Sequence, residues 1–368
     1  MEENNRVKQI HTQYQQSIWL DFIDRQIIRS GKLQQLIDED GIRGVTSNPA
    51  IFEQAISASA DYDQDILTHG ETITDPEALF FKLAVKDIQA AADLFSPVYN
   101  EEVSGADGYV SLEVSPLLAL DEQGTIEQAR QLWQEVDRKN VMIKIPGTIP
   151  CLPAIRTAIS EGININVTLL FGLERYEAVA NAYIDGLEDR LNAGKPIAQI
   201  ASVASFFLSR IDLLVDPMLE TKGLQHLQGK AAIAAAKAAY ALYRRIFSGE
   251  RWQKLADAGA KPQRLLWAST GNKNPAYRDT RYIEELIGPD TVNTSPLGTI
   301  DAFRDHGEVG NTLENEPEQA LYLLEELANA GIDMKAVALQ LEQEGIQKFE
   351  APYKKLLAAI TDKLNPGS

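Results

Sequence analysis

Eight short apolar or alternating runs recur along this chain with helical patterns between them, and that rhythm admits few folds. The runs lie near Ser17–Phe22, Gly44–Asn48, Tyr109–Val114, Val141–Pro146, Ile163–Phe171, Ile200–Phe207, Arg264–Ser269 and Thr291–Ser295. Helical stretches between them include Asp24–Asp38, Asp75–Leu94, Thr125–Lys139, Leu173–Leu191 and Pro275–Leu286. Asp75-Pro76 and Asn274-Pro275 each read as a helix N-cap followed by proline in the first turn. Strands alternating with helices build βαβ units, because a parallel connection needs a crossover long enough to hold a helix. Eight such units fit a closed (β/α)8 TIM barrel better than an open sheet. No G-x-G-x-x-G follows the first strand, which removes the main reason to expect a dinucleotide-binding sheet.

A chain of 368 residues would split in two or three at roughly 150 residues per domain. An α/β barrel reaches well beyond that length as one unit. The expectation is one domain over 1–368, with a barrel core at about 17–305 and a helical C-terminal extension at about 306–368. Asp216–Ala260 is long enough for extra helices after the sixth strand, and Pro317–Leu364 forms the tail. Both read as decorations.

Composition narrows the partners. A formal charge of −18 argues against nucleic acid and anionic membranes. It leaves phosphorylated substrates open, since a few local cations outweigh a diffuse negative field. The start, Met1-Glu2-Glu3-Asn4-Asn5, lacks the basic and apolar regions of a secretory signal. The apolar stretch Ala231–Tyr243 is short and carries Lys237, so it reads as a packing helix and not as a membrane span. The single cysteine, Cys151, allows no internal disulfide and fits a reducing compartment, with the cytoplasm expected. A homodimer is the base-rate expectation for assembly.

Within the fourth run, Val141-Met142-Ile143-Lys144-Ile145-Pro146, one lysine stands among apolar neighbours. Burying an ammonium ion costs several kcal/mol unless it is paired or deprotonated. Desolvation lowers a lysine's pKa, and the neutral amine is the nucleophile that attacks a carbonyl. Lys144 thus reads as a Schiff-base lysine. A buried ion pair, or a stem that carries the charge out to water, would give the same local pattern.

The period of two in a strand decides which side chains face the barrel axis. In Ile163–Leu169 it turns Asn164, Asn166 and Thr168 inward, and in Ser111–Ser115 it turns Glu113 inward with the two serines. Trp19 and Asp21 share a face in the first strand. A half-solvated edge strand alternates in the same way, but several internal strands with polar C-terminal ends match the face where barrels build active sites. Adjacent strands lie about 4.8 Å apart, so Glu113, Lys144 and Thr168 can meet around one water. Imine chemistry needs that arrangement, because carbinolamine formation and hydrolysis move protons repeatedly. Asp21 closes the ring if the first strand pairs with the last.

For anion binding, Arg210 follows Ser205-Phe206-Phe207-Leu208-Ser209, and Ser269-Thr270-Gly271-Asn272-Lys273 runs from a strand end into a turn. Arginine offers a bidentate fork to phosphate, and turn N–H groups add to it. An ordinary salt bridge from Arg210 to Asp212 or Asp216 is the competing reading. His11, His69, His226 and His306 show no metal-type spacing, and no nucleophile elbow, P-loop or kinase motif occurs.

Taken together, Trp19-Leu20-Asp21, Gly44–Pro49, Ser111–Val114, Met142–Pro146, Gly162–Phe171 and Ser205–Asp212 resemble the transaldolases, in family order across most of the chain. The resemblance implies a (β/α)8 enzyme of the pentose phosphate pathway, in its longer bacterial-type subfamily, working with no metal and no organic cofactor. It would carry a dihydroxyacetone unit from sedoheptulose 7-phosphate to glyceraldehyde 3-phosphate, giving erythrose 4-phosphate and fructose 6-phosphate. By position, Lys144 resembles the imine-forming lysine and Asp21 the acid/base of C–C cleavage. Glu113 and Thr168 resemble the pair that holds the catalytic water. Asn48, Asn166 and Ser205 resemble ligands of the dihydroxyacetone unit, and Arg210 and Ser269 ligands of phosphate. Where shorter members carry an arginine two residues after that serine, this chain has Gly271, and Lys273 is the expected second cation. A fructose 6-phosphate aldolase on the same scaffold and a non-catalytic sugar-phosphate-binding barrel are the alternatives.

Overall fold

The computed structural model of this chain describes residues 5–101 and 106–364, so Met1–Asn4 of the N-terminal start and the last four residues of the tail lie outside it. Eight parallel strands close into a barrel in chain order. They are β1 (Ser17–Leu20), β2 (Gly44–Val45), β3 (Tyr109–Glu113), β4 (Val141–Pro146), β5 (Ile165–Leu170), β6 (Ser202–Phe207), β7 (Arg264–Ala268) and β8 (Thr291–Ser295). Closure is made by β1, which sets Trp19 opposite Thr294 of β8 and Leu20 opposite Val45 of β2. All eight expected strands are present, most of them shorter at one end or both. Their C-terminal residues leave the ladder at the mouth while keeping single hydrogen bonds, as Asp21 N–H does to Ser295 O at 2.8 Å.

The helices depart further from expectation. Asp24–Asp38 divides into Arg25–Arg29 and Lys32–Asp40, because Gly31 takes a left-handed φ of 77°. Asp75 does cap its helix, accepting from Ala78 N–H at 2.9 Å. Asn274 does not start one. Its carbonyl and side chain accept from Tyr277 and Ala276 N–H, and Asn272 spans the same turn. These local bonds replace a helical ladder, and only Arg281–Glu284 of the expected Pro275–Leu286 helix forms. The segment after β6 folds into helices Ser209–Thr221, Ala231–Ile246 and Glu250–Asp257. Among the described residues no helix is long and apolar enough to cross a membrane.

The tail is more than a decoration. Helix Pro317–Asn329 lies on Ala231–Ile246, while the 31-residue C-terminal helix Met334–Leu364 packs on Pro49–Ser57, Pro76–Glu101, Ser209–Thr221 and β5. It therefore crosses the barrel mouth.

The opposite end of the barrel is closed by charge and bulk. Trp19 packs on Gly44, where a Cβ would lie 2.6 Å from the indole, so only glycine fits. Its Nε1 donates to Asp107 Oδ1 at 3.1 Å. The Asp107 carboxylate also accepts from Ser17 Oγ at 2.6 Å, Arg43 Nε at 2.8 Å and Arg264 Nη1 at 3.3 Å. Burial by itself would raise this carboxyl, but Arg264, Arg43 and Ser17 overcome that and hold it down at about 2.

Because the folded value lies below the ordinary 3.8, the contribution of Asp107 is complete above about pH 4 and is lost as pH falls through 2. Asp107→Asn is expected to destabilise the fold by about 3–5 kcal/mol at neutral pH. Urea unfolding of both proteins across pH should show that gap shrinking below pH 4; a gap independent of pH would contradict the assignment.

Candidate active site

The strand register brings the first pair together. Glu113 of β3 lies opposite Lys144 of β4, and Lys144 opposite Asn166 of β5. Lys144 is 4% exposed. Its Nζ donates to Ser47 O at 3.1 Å and stands 3.3 Å from Glu113 Oε2. The ion pair lacks hydrogen-bond geometry, and both Glu113 oxygens are buried without a donor. Thr168 Oγ1, two residues beyond Asn166 on β5, is buried and unpartnered as well. Burial pushes the Glu113 carboxyl up from 4.5 to about 7, against the pull of Lys144 and with a small push from Asp21.

Asp21 sits half-buried at the end of β1. Its Oδ1 accepts from Thr46 Oγ1 at 2.7 Å, and Thr46 contacts Thr294 Oγ1 at 2.6 Å. Burial raises this carboxyl, while Lys144, Thr46, Lys273 and Arg210 act to lower it. Asp21 and the four residues acting on it come from five separate parts of the chain, at or beyond the ends of β1, β2, β4, β6 and β7.

Asn166 is inward, because its Nδ2 reaches past β4 to Ser111 Oγ of β3 at 3.1 Å. Its Oδ1 accepts from Ser205 Oγ at 2.7 Å. Asn48 also serves the backbone, since its Oδ1 caps helix Pro49–Ser57 through Ala50 and Ile51 N–H, leaving Nδ2 to donate. Asn164 lies at the far end of the barrel, tying Lys139, Val141 and Ala201, and takes no part in the mouth.

At the other side of the mouth, Arg210 makes no ion pair with Asp212 or Asp216. Those carboxylates accept from Tyr282 and Tyr277 hydroxyls, each at 2.6 Å, and from backbone N–H groups. Arg210 instead lies against the rings of Phe207 and Phe349, with Nη1 buried and unpartnered. Burial lowers its pKa. A guanidinium in that state is ready for an anion. Ser269, at a left-handed φ of 54°, meets Ser209 Oγ at 2.9 Å. Lys273 is exposed at the rim; partial burial first, then repulsion from Arg210 and Lys348, lowers its pKa. A cation thus stands near Arg210 although position 271 is glycine.

The residues missed by sequence reasoning are Thr46, which donates to Asp21, Thr294, which contacts Thr46, the Ser47 carbonyl, which accepts from Lys144, and Phe349 of the C-terminal helix, whose ring lies by Lys144 and Arg210. Thr46 and Ser47 stood inside a quoted motif, whereas the tail gave only an amphipathic pattern. Among the described residues no group of three or more His, Cys, Asp or Glu is arranged to hold a metal ion.

Comparison with known proteins adds to this geometry. The family described as Transaldolase/Fructose-6-phosphate aldolase matches residues 18–360. The chain is 48% identical to "Transaldolase 2" of Nostoc sp. over 96% of both chains. It is 48% identical to "Transaldolase" of Trichodesmium erythraeum and 46% identical to "Transaldolase" of Saccharopolyspora erythraea, in each case over 95% of both chains.

With its carboxyl raised to about 7, Glu113 is protonated below neutrality and becomes a base above it. The pH–rate profile is therefore expected to rise through an inflection near pH 7. Glu113→Gln should remove the inflection and cut turnover by about 100-fold or more. A profile in the variant with the same inflection would assign that ionisation elsewhere.

Proposed function

The chain belongs to the transaldolase/fructose-6-phosphate aldolase family, and we propose that Lys144, Asp21, Glu113 and Thr168 carry its reaction. The activity is that of a transaldolase: a dihydroxyacetone unit passes from sedoheptulose 7-phosphate to glyceraldehyde 3-phosphate, giving erythrose 4-phosphate and fructose 6-phosphate in the pentose phosphate pathway. The observation that carries the residue assignment is a buried amine, Lys144, 3.3 Å from a carboxylate whose two oxygens have no other partner.

In this mechanism Lys144 Nζ attacks the ketose carbonyl, and the carbinolamine loses water to form an iminium. Glu113 is the nearest base for the amine proton, and a water held between Glu113 and Thr168 relays protons to and from the departing oxygen. Asp21 takes the proton of the substrate hydroxyl beside the bond that breaks. The electron pair of that C–C bond flows into the iminium, leaving an enamine on Lys144 and releasing the aldose phosphate. Addition of the enamine to the acceptor aldehyde reverses these steps.

Asn166, Ser205 and the free Nδ2 of Asn48 are placed to hold the hydroxyls of the three-carbon unit. Arg210, with an unpartnered Nη1, takes the phosphate, and Ser269 and Lys273 complete that end. No helper group is invoked, since the iminium itself is the electron sink.

Borohydride reduction with fructose 6-phosphate, followed by peptide mass mapping, is expected to place the adduct on Lys144; turnover with Lys144 unmodified would sink the mechanism. Asp21→Asn should still form that adduct but lose C–C cleavage by about 100-fold or more. Equal loss of both steps would show that Asp21 has a different role.

A further inference from the structure

The C-terminal helix brings to the mouth a side chain that the mechanism above leaves unused. Phe349 is 7% exposed, with its ring centroid 5.6 Å from Lys144 Nζ and 5.8 Å from Arg210 Cζ. The same ring meets Phe207 at 6.4 Å. One aromatic group thus spans the imine end and the phosphate end of the site.

Its position is held from several directions. Arg175 pairs with Glu342 at 2.8 Å on one side of Phe349, and Tyr353 donates to Glu77 Oε1 at 2.7 Å on the other. One turn before Phe349, the helix crosses β5 at Gly345, where a Cβ would lie 3.1 Å from Leu169 Cδ2. Leu169 takes a left-handed φ of 63° where the β5–β6 register shifts, just after Thr168. The bulge that ends the alternation of β5 therefore also seats the helix that carries Phe349.

We propose that Phe349 is a specificity-determining residue: it keeps water from the Lys144 adduct between donor cleavage and acceptor capture, so that the three-carbon unit is transferred and not released. This rests on the transaldolase mechanism above. After cleavage the unit remains on Lys144 as an enamine. Release requires a proton from water on the enamine carbon, which regenerates the iminium, and then water oxygen on the imine carbon. The C–N bond of the resulting carbinolamine breaks as its hydroxyl loses a proton, and the amine leaves with that electron pair after gaining a proton. Free dihydroxyacetone is the product. The step peculiar to release is the first, delivery of a proton from water to the enamine carbon, and Phe349 covers that approach; the hydrolysis that follows uses the Glu113–Thr168 water of the ordinary cycle. The ring face favours the positive iminium as well, and excluding water strengthens that attraction.

The full chain would be given fructose 6-phosphate and erythrose 4-phosphate, and free dihydroxyacetone would be measured against sedoheptulose 7-phosphate. In Phe349→Ala this ratio is expected to rise about tenfold, the size of one such contact. Phe349→Leu, which keeps the apolar bulk, should restore most of it. Gly345→Leu, which crowds Leu169 and lifts the ring without removing it, should raise the ratio too and serves if Phe349→Ala does not fold. A ratio unchanged in Phe349→Ala, including equal loss of both products, overturns the proposal. So does a rise in Phe349→Leu as large as in Phe349→Ala, or no rise in Gly345→Leu. Borohydride trapping separates the two levels: wild-type protein without a Lys144 adduct would overturn the mechanism itself.

Discussion

Barrel closure commits the inward side chains of eight strands to a space that holds little water, and every polar group placed there needs a partner. The two ends of this barrel meet that demand in opposite ways. At the floor, Asp107 is surrounded by Ser17, Trp19, Arg43 and Arg264, and its carboxylate is held well below the ordinary range. At the mouth, Glu113, Thr168 and Arg210 keep buried polar atoms without partners. Arg264 Nε beside Asp107 is also buried without a partner, so the contrast lies in the carboxylates: Asp107 accepts four hydrogen bonds and Glu113 none. In the proposed mechanism a water and the substrate complete Glu113, Thr168 and Arg210.

The electrostatics of the mouth follow from the same enclosure. Burial raises both Asp21 and Glu113, and Lys144 draws both back down. Burial thus lifts Asp21 above its ordinary range and brings Glu113 to about 7, where its carboxyl can exchange protons near neutral pH, as the proposed imine chemistry requires. Around them stand Lys144, Arg210 and Lys273, in a chain whose formal charge is −18. Position decides the matter here, because a cation within the mouth acts over a few ångströms while the acidic surface is screened by salt.

Much of this was legible in the residues. Alternation along β3 and β5 turned Glu113, Asn166 and Thr168 inward, and the eight-fold rhythm required closure, which puts β1 beside β8 and Asp21 into the ring. Where local bonding competed with periodicity the reading failed. Asn272 and Asn274 satisfy a turn at the place where a helix was expected, and Gly31 divides another helix in two. The rivalry over Arg210 was also undecidable from sequence. Asp212 and Asp216 are near in the chain, and only Tyr277 and Tyr282, brought in from beyond β7, show that both carboxylates are already occupied.

The sequence by itself determined the barrel, the strands that line it and the polar residues that point into its mouth, because strand periodicity and crossover length are local properties. Tertiary structure alone decided how those residues are served and covered. The caps on Asp21, the helix-capping use of Asn48, the bulge at Leu169 and the seat of Phe349 over Lys144 all depend on how segments meet in three dimensions. Such contacts are set by which helix face finds a complementary groove, and an amphipathic pattern in the tail says that a face will be buried without saying against what.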